Sequence, residues 1–350
     1  MLDAIRENPV PILFGILCLV GIVAARISPP FLLNEIVTRL SRNLFLVLSL
    51  IIPVVAGMGL NFGIVIGAMC GQIGLLIVEN ANATGLGALT SAVLLSLPLS
   101  IGSGVLIARL LNQAKGREMI TGMILGFFAN GVYQLLFLLL AGPVIPLRNE
   151  RILLTTGVGL KNTVDLLGTK NQLDFLVRPA IQLPNGKIFV PLVTFLVIAL
   201  AGLFIRWYLK TKSGQDLRAV GQDMKVAEIA GIGVNAARTR AIVLSTVLGG
   251  IGHIIFLQNI GTMNTYQSHE QVGPYAIAAL LVGGATVARA TIWHAILGTA
   301  LFHTLFYVAP TAGAALFGDK QIGEYFREFI GYAVIGVTLA LHAWKAKRKA

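Results

Sequence analysis

The chain has 350 residues, of which 56% are hydrophobic and 12% charged, and its mean hydropathy is +0.81. Soluble domains carry about 25% charged residues, so this composition excludes an ordinary soluble enzyme and indicates a protein that lies largely in a bilayer. The net charge of +12 is spread over loops and the basic tail, without a patch of interleaved aromatic residues. We therefore expect contact with anionic membrane lipid and no nucleic-acid partner.

About ten apolar segments follow one another along the chain, each offered as a membrane span, which needs roughly 20 apolar residues. They are 12–27, 44–60, 62–79, 87–110, 119–142, 189–207, 240–257, 274–286, 291–310 and 329–344. We predict an all-α polytopic membrane protein in which residues 1–350 form a single transmembrane domain. Asp3 and Glu7 stand where a signal peptide has basic residues, so we expect the first segment to remain as a helix.

Lysine and arginine are distributed unevenly among the loops, and short cytoplasmic loops are the ones enriched in them. The loop 208–239 is rich in both, whereas 258–273 has neither. Counting segments from these loops places both termini and 208–239 in the cytoplasm and makes 143–188 an extracytoplasmic loop. That loop carries six basic residues, including Arg148, but long loops cross the membrane with less regard to charge.

Three glycines recur every four residues in the third segment. Gly63, Gly67 and Gly71 share one helix face, where the absence of side chains lets a second helix approach closely. This spacing predicts a helix packed tightly inside a bundle. Abundant glycine use in a chain with 39 glycines is the alternative interpretation.

Two sets of polar residues are candidates for a translocation path. Asn61 and Phe62 lie in the glycine-rich stretch 57–63, which can interrupt a helix at membrane depth, as transporters do beside a substrate path. Asn130 and Gln134 lie four residues apart and share a helix face. The alternatives are a tight turn closed by the Asn61 amide, and hydrogen bonds from Asn130 and Gln134 to a neighbouring helix.

Ionisable residues are almost absent from the interiors of the ten segments. Proton-coupled carriers keep acids there, so we expect an uncharged path with no coupling ion and an external energy source. The chain's Cys18 and Cys70 have no metal-ligand spacing, and neither do His253, His294 and His303. We predict no metal site and no catalytic residue.

A polar, basic segment, 213–232, stands between two apolar segments. Asp223 is a suitable N-cap and Gly231 a suitable helix terminus, which predicts a helix near 223–231. Val226, Ile229 and Ala230 share one face of that helix. This amphipathic face is suited to a groove on a partner protein, or alternatively to a lipid surface.

The same region carries a family resemblance. Ser213-Gly-Gln-Asp-Leu-Arg-Ala-Val-Gly-Gln222 and Ala227-Glu-Ile-Ala-Gly-Ile-Gly-Val234 resemble the cytoplasmic loop of the membrane permeases of bacterial ABC importers. This is the group serving ribose-type sugars, branched-chain amino acids and nucleosides. Gly59-Leu-Asn-Phe-Gly63 and Gly116-Arg-Glu-Met-Ile-Thr-Gly122 are more similar to the nucleoside branch, although 285–289 departs from that branch.

The resemblance implies a transport subunit without an ATPase site of its own. A separate ATPase subunit would bind ATP and Mg²⁺, so we expect no cofactor in this chain, which has no G-x-x-x-x-G-K-[ST] motif. The resemblance also implies the bacterial inner membrane, a second permease (identical or related) and an extracytoplasmic solute-binding protein. Its coupling helix would contact the ATPase through Arg218, Gly221, Asp223, Val226, Ala227, Glu228, Ala230 and Gly231.

We therefore expect an importer permease for a small polar solute, first of all a nucleoside. Ribose-type sugars or another small metabolite are the alternative cargo. A stand-alone secondary carrier is the alternative from a different class.

Overall fold

The structure is a computed structural model that describes residues 9–147, 149–183 and 186–347. Asp3, Glu7, Arg148 and the last residues of the basic tail, Arg348 and Lys349, lie outside the described residues. The helices are α1 Pro9–Ala25, α2 Pro29–Ser49, α3 Ile51–Val55, α4 Ile64–Asn80, α5 Gly85–Gln113, α6 Glu118–Leu135, α7 Leu192–Tyr208, α8 Lys212–Gln222, α9 Met224–Ile229, α10 Val234–Ile260, α11 Val272–Val282, α12 Ile292–Phe317 and α13 Lys320–Lys347.

A π-helical turn, Leu136–Leu140, extends α6. The strands are short: β1 Thr163–Asp165, β2 Ala180–Leu183, β3 Gly186–Phe189 and β4 Thr262–Asn264. Among the described residues, five helices or helix pairs are long and apolar enough to cross a membrane, namely Pro29–Val55, Gly85–Gln113, Glu118–Leu140, Val234–Ile260 and Ile292–Phe317. Three shorter apolar helices accompany them, and each of the ten predicted segments overlaps a helix. The all-α polytopic membrane fold is confirmed.

The prediction for the second segment was wrong at both ends. The helical structure begins at Pro29, not 44, and ends at Val55. Glu35, Arg39 and Arg42 make the first half of α2 too polar for a hydropathy count, although all three side chains are half-buried in the fold. At the other end, Gly57 and Gly59 have φ angles of 71° and 70° and break the helix.

The centre of the bundle is the packing of α4 against α5 and α10. A Cβ atom added at Gly67 would lie 2.4 Å from the carbonyl oxygen of Thr246, and one at Gly71 would lie 2.4 Å from that of Gly250. This is the close helix approach that the glycine spacing predicts. Gly63 is different, because it forms the N-cap of α4 and contacts the Asn61 side chain.

The 27-residue helix α10, about 40 Å long, separates two ends of the molecule. It begins directly after α9, and we call residues 209–233 the helical end. It leads into β4, which pairs antiparallel with β1 through Thr163 and Asn264. We call residues 141–191 and 261–271 the strand end. The loops predicted to lie on opposite sides of the membrane thus lie at opposite ends of α10.

Candidate functional site

A cavity of about 390 Å³ lies beside the strand end, which is within the usual size of a small-molecule site. Its walls come from α2, α10, α11, α12, α13 and the loop that follows α10. Three aromatic rings contribute to the lining, those of Phe256, Tyr275 and Phe306. The polar lining consists of Arg39, Arg42, Asn43, Asn264, Gln267, Ser268, Gln271, His303, Arg327 and Glu328.

The arginines of the cavity are held against aromatic faces. Arg42 Cζ lies 5.6 Å from the ring centroid of Phe256, and Arg327 Cζ lies 4.1 Å from that of Phe306. Such cation–π contacts orient a guanidinium without using its N–H donors. The Nε atoms of Arg42 and Arg327 are buried and have no hydrogen-bond partner among the described residues. Aromatic rings therefore lie next to N–H donors that have no hydrogen-bond partner among the described residues.

The cavity is lined by charged residues, unlike the uncharged path expected from the sequence. Its charges come from Arg39, Arg42, Arg327 and Glu328, which lie on α2 and at the start of α13. Both regions were assigned to loops from the sequence because they are polar. Within the fold, these four charged side chains line the cavity.

Asn130 and Gln134, both half-buried, belong to a hydrogen-bonded network near the cavity. Gln134 Nε2 donates to Asn130 Oδ1 at 3.3 Å, and Asn130 Nδ2 donates to Glu270. His269 lies between Asn130 and α4: its Nε2 is 2.8 Å from Asn130 Oδ1 and its Nδ1 is 3.0 Å from Gln72 Oε1. The pair thus bonds to neighbouring elements, the alternative that the sequence left open, and it does not line the cavity.

Gln72 and His269 were not singled out as functional from the sequence. Gln72 Nε2 donates to the carbonyl oxygens of Asn264 and Thr265, at 3.2 and 2.7 Å, so it fixes the loop after α10. Burial lowers the pKa of His269 to about 4, so this imidazole is neutral at pH 7. The sequence did hold one indication of His269: it is a histidine in the loop 258–273, which has no lysine or arginine.

Asn61 and Phe62 are buried, with exposed fractions of 5% and 8%. Asn61 Nδ2 donates to Ser245 Oγ at 3.0 Å, and Asn61 Oδ1 accepts from the Gly63 N–H at 3.0 Å. The second bond closes the tight turn that the sequence offered as an alternative. Neither residue lines the cavity, so Asn61 fixes the broken backbone before α4.

The broken segment is in direct contact with the helical end. A Cβ atom added at Gly221 would lie 2.1 Å from the carbonyl oxygen of Val55, and one at Gly57 would lie 2.8 Å from Gly221 Cα. Backbone therefore touches backbone, with no flexible side chain between them. A displacement of α8 must be passed to the segment between α3 and α4.

The helical end contains two helices where the sequence predicted one. Asp223 is extended and separates α8 from α9, and its carboxylate accepts hydrogen bonds from the N–H groups of Lys225 and Val226. The predicted N-cap is therefore confirmed. Gly231, with a φ angle of 80°, follows the end of α9 as its position predicted.

The apolar face of α9 is uncovered in this chain. Val226 and Ile229 are 62% and 88% exposed, and Ala230 and Glu228 are exposed as well. Ala227 points the other way and is only 3% exposed, so it packs α9 against the bundle. Arg218, on α8, is exposed.

A buried ion pair beside the helical end joins three spans. Arg238 is fully buried and donates to Glu118 Oε1 at 2.7 Å, to Asn112 Oδ1 at 2.9 Å and to the Leu111 carbonyl at 3.2 Å. Its Nη1 also contacts the sulfur of Met224 on α9. In the sequence analysis, Arg238 counted only as one of the basic residues of the loop 208–239. Within the described residues, no group of three His, Cys, Asp or Glu could hold a metal ion.

Comparison with known proteins identifies the family. The family described as "Branched-chain amino acid transport system / permease component" matches residues 32–339. A nucleoside ABC transporter permease protein, NupC, of Lactococcus lactis subsp. cremoris (strain MG1363) is 33% identical over 169 residues, or 46% of this chain and 50% of the relative. A guanosine ABC transporter permease protein, NupQ, of Bacillus subtilis (strain 168) is 34% identical over 159 residues, or 44% and 47%.

The matched regions span about half the length of these curated relatives. No solved structure matches the chain. Because the family match covers most of the sequence, the chain belongs to this family of transport-system permease components, and it is a multi-pass membrane protein.

Proposed function

We propose that this member of the permease family is the transmembrane subunit of an ABC importer for nucleosides, located in a bacterial inner membrane. The helical end then faces the cytoplasm together with both termini, and the strand end, with the loop 143–188, faces outward. The whole chain forms one permease domain, with 208–239 as its coupling loop. The names of the two relatives, one for nucleosides and one for guanosine, support this cargo.

The proposed cargo is supported by the chemistry of the cavity, which combines aromatic rings with arginines and amides. A nucleobase has a flat π-face that stacks on aromatic rings, as Phe256, Tyr275 and Phe306 allow. Its edge and its ribose hydroxyls need donors and acceptors, which the arginines and amides of the lining supply. A ribose-type sugar has no such π-face and would use only the polar half of the site.

The exposed face of α9 supports an ATPase partner. Val226 and Ile229 form an uncovered apolar patch on α9, and the preceding helix α8 is in backbone contact with the broken segment before α4. A separate ATPase that binds ATP and Mg²⁺ can dock there and move the spans, so this chain needs no cofactor of its own. A second permease, identical or related, and an extracytoplasmic solute-binding protein complete the assembly.

Variants of the cavity test the cargo. Phe306→Leu removes a ring and Gln267→Leu removes an amide, whereas Gln182→Leu makes the same change on exposed β2 outside the cavity. We expect each cavity variant to reduce ATP-driven uptake of labelled nucleoside about tenfold or more, with Gln182→Leu close to wild type. Equal uptake by all three variants would remove the cavity from the path. ATP-driven uptake of labelled ribose without uptake of labelled nucleoside would favour the sugar alternative.

Isolation of the chain from its native membrane in mild detergent tests the partners. We expect an ATPase subunit to co-purify, together with a second permease copy or a related chain. Purification of the intact chain alone, under conditions that preserve other membrane complexes, would favour the secondary carrier.

A further inference from the structure

A second concavity, a groove of about 1030 Å³, lies near the helical end between the α2–α3 pair, α7 and the start of α12. Its walls are mostly aliphatic, with Leu48, Ile198 and Ile296 among them. It shares no lining residue with the cavity at the strand end. Val55 lines the groove and is also the residue of α3 that contacts Gly221 of α8. The contact between these two helices therefore lies at the edge of the groove.

Four basic residues line the part of the groove near the helical end. Arg206 and Lys210 come from the end of α7 and the loop after it, and the other two are Arg218 on α8 and Arg289 just before α12. All four are exposed, and the lining contains no Asp or Glu. None of the four forms a salt bridge with any residue in the described part of the chain.

Charge and shape together select the occupant. Four unneutralised cations around one opening attract an anion with several oxygen acceptors, and phosphate is the group that fits. A soluble phosphate has no apolar surface to bury against the aliphatic walls, whereas an acyl chain has. Trp293, which is 77% exposed at the groove, is of the kind that anchors at the level of lipid headgroups.

We propose that this groove binds one anionic glycerophospholipid, with its phosphate among Arg206, Lys210, Arg218 and Arg289 and an acyl chain between α7 and α12. Basic pockets between membrane helices bind anionic headgroups by this chemistry. Since Arg218 lies on α8 and the other three cations lie on or beside α7 and α12, the headgroup ties the helical end to two spans. The inference does not depend on which solute the chain carries.

Lipid titration of the full chain, purified in mild detergent and followed by native mass spectrometry, measures the selectivity. We expect phosphatidylglycerol to bind at least tenfold more tightly than phosphatidylcholine with the same acyl chains. The triple variant Arg206→Gln/Lys210→Gln/Arg289→Gln should lose this preference. Arg109→Gln/Lys115→Gln/Arg117→Gln removes the same charge from exposed positions outside the groove and should keep it.

Fluorescence quenching locates the bound lipid. In a Trp207→Phe/Trp344→Phe background, Trp293 is the remaining tryptophan of the three. Phosphatidylglycerol with brominated acyl chains should quench Trp293 at the concentrations that produce the bound species. Ala199→Phe, which fills the aliphatic wall without changing charge, should weaken binding of both lipids.

Several results would overturn the proposal. Equal affinity for the two lipids, or an unchanged preference in the groove triple variant, would show that the four cations do not select the headgroup. Binding without quenching of Trp293 would place the lipid elsewhere. Displacement by glycerol phosphate at the same concentration as lipid would identify a soluble anion. Protection of Trp293 by dimerisation of the chain would identify a second copy as the occupant.

Discussion

The two ends of the molecule are held together by different means. At the strand end, side chains bond to loop backbone and to each other: Asp174, for example, accepts hydrogen bonds from Thr194, Gln258 and Asn259 at 2.5, 3.0 and 2.7 Å. At the helical end, buried apolar side chains such as Leu217 and a backbone contact at Gly221 hold the helices to the bundle, an ion pair lies at the border, and Val226 and Ile229 remain uncovered. The first arrangement shapes a fixed cavity, and the second suits a part that another protein grips and moves.

The largest expected effect is loss of the ion pair at the border of the helical end. Arg238→Met leaves the Glu118 carboxylate without its partner, so we expect the free energy of unfolding to fall by about 3–5 kcal/mol. The temperature at which a thiol reagent labels the buried Cys18 and Cys70 reports this loss. The double variant Arg238→Met/Glu118→Leu should recover part of it. If the single variant is as stable as wild type, this ion pair does not stabilise the fold.

The next effect tests the glycine contact between α8 and Val55. Gly221→Ala puts a Cβ atom where only 2.1 Å is available, and forced overpacking costs about 2 kcal/mol, so we expect uptake to fall about thirtyfold while the chain remains inserted. Gly233→Ala is the matched control, because its Cβ atom would lie 3.7 Å from the nearest neighbour. Equal uptake by the two variants would refute transmission through this contact.

A charge on the exposed apolar faces compares the two ends directly. Ile229→Asp should weaken ATPase association about tenfold, because it places a carboxylate in an apolar contact. Ile181→Asp changes a residue on β2 that is 53% exposed and should leave ATPase association unaltered. Loss of association in both variants, or in neither, would contradict the distinction between the ends.

The smallest effect concerns pH at the strand end. Burial lowers the pKa of His269 from 6.5 to about 4, so between these values the unfolded chain binds more protons and stability falls as pH falls. Between pH 7.5 and 5.5 the contribution of His269 should decrease by about 1 kcal/mol. The difference in stability between wild type and His269→Gln measures it and cancels other titrating groups. A difference that does not change over this range would contradict a buried neutral imidazole.

Much of the fold was predictable because it depends on local properties. Apolar run length predicted a helix in each of ten places, and the chemistry of Asp223 and Gly231 predicted the limits of α9. The first half of α2 was missed, because a hydropathy count cannot distinguish charged residues that line a cavity between helices, such as Arg39 and Arg42, from residues of a solvent-exposed loop. The coupling residues retain their proposed roles, although Ala227 is buried and is better suited to packing than to docking.

The cavity and the network beside it were not predictable, because they combine residues from distant parts of the chain. Gln72 and His269 are separated by 197 residues. In the sequence, each of them looks like an ordinary polar residue, one in a span and the other in a loop. Asn61 shows the converse: its position at a helix break indicated a solute path, but the fold uses its amide to close a turn and to bond Ser245.

The most direct measurement of the central claim is uptake of a labelled nucleoside by proteoliposomes that contain the complex isolated with this chain. We predict that uptake requires ATP and Mg²⁺ in the compartment of the ATPase, is competed by unlabelled nucleoside, and falls about tenfold or more with Phe306→Leu. Uptake that proceeds without ATP and follows an imposed ion gradient would contradict the importer and establish a secondary carrier.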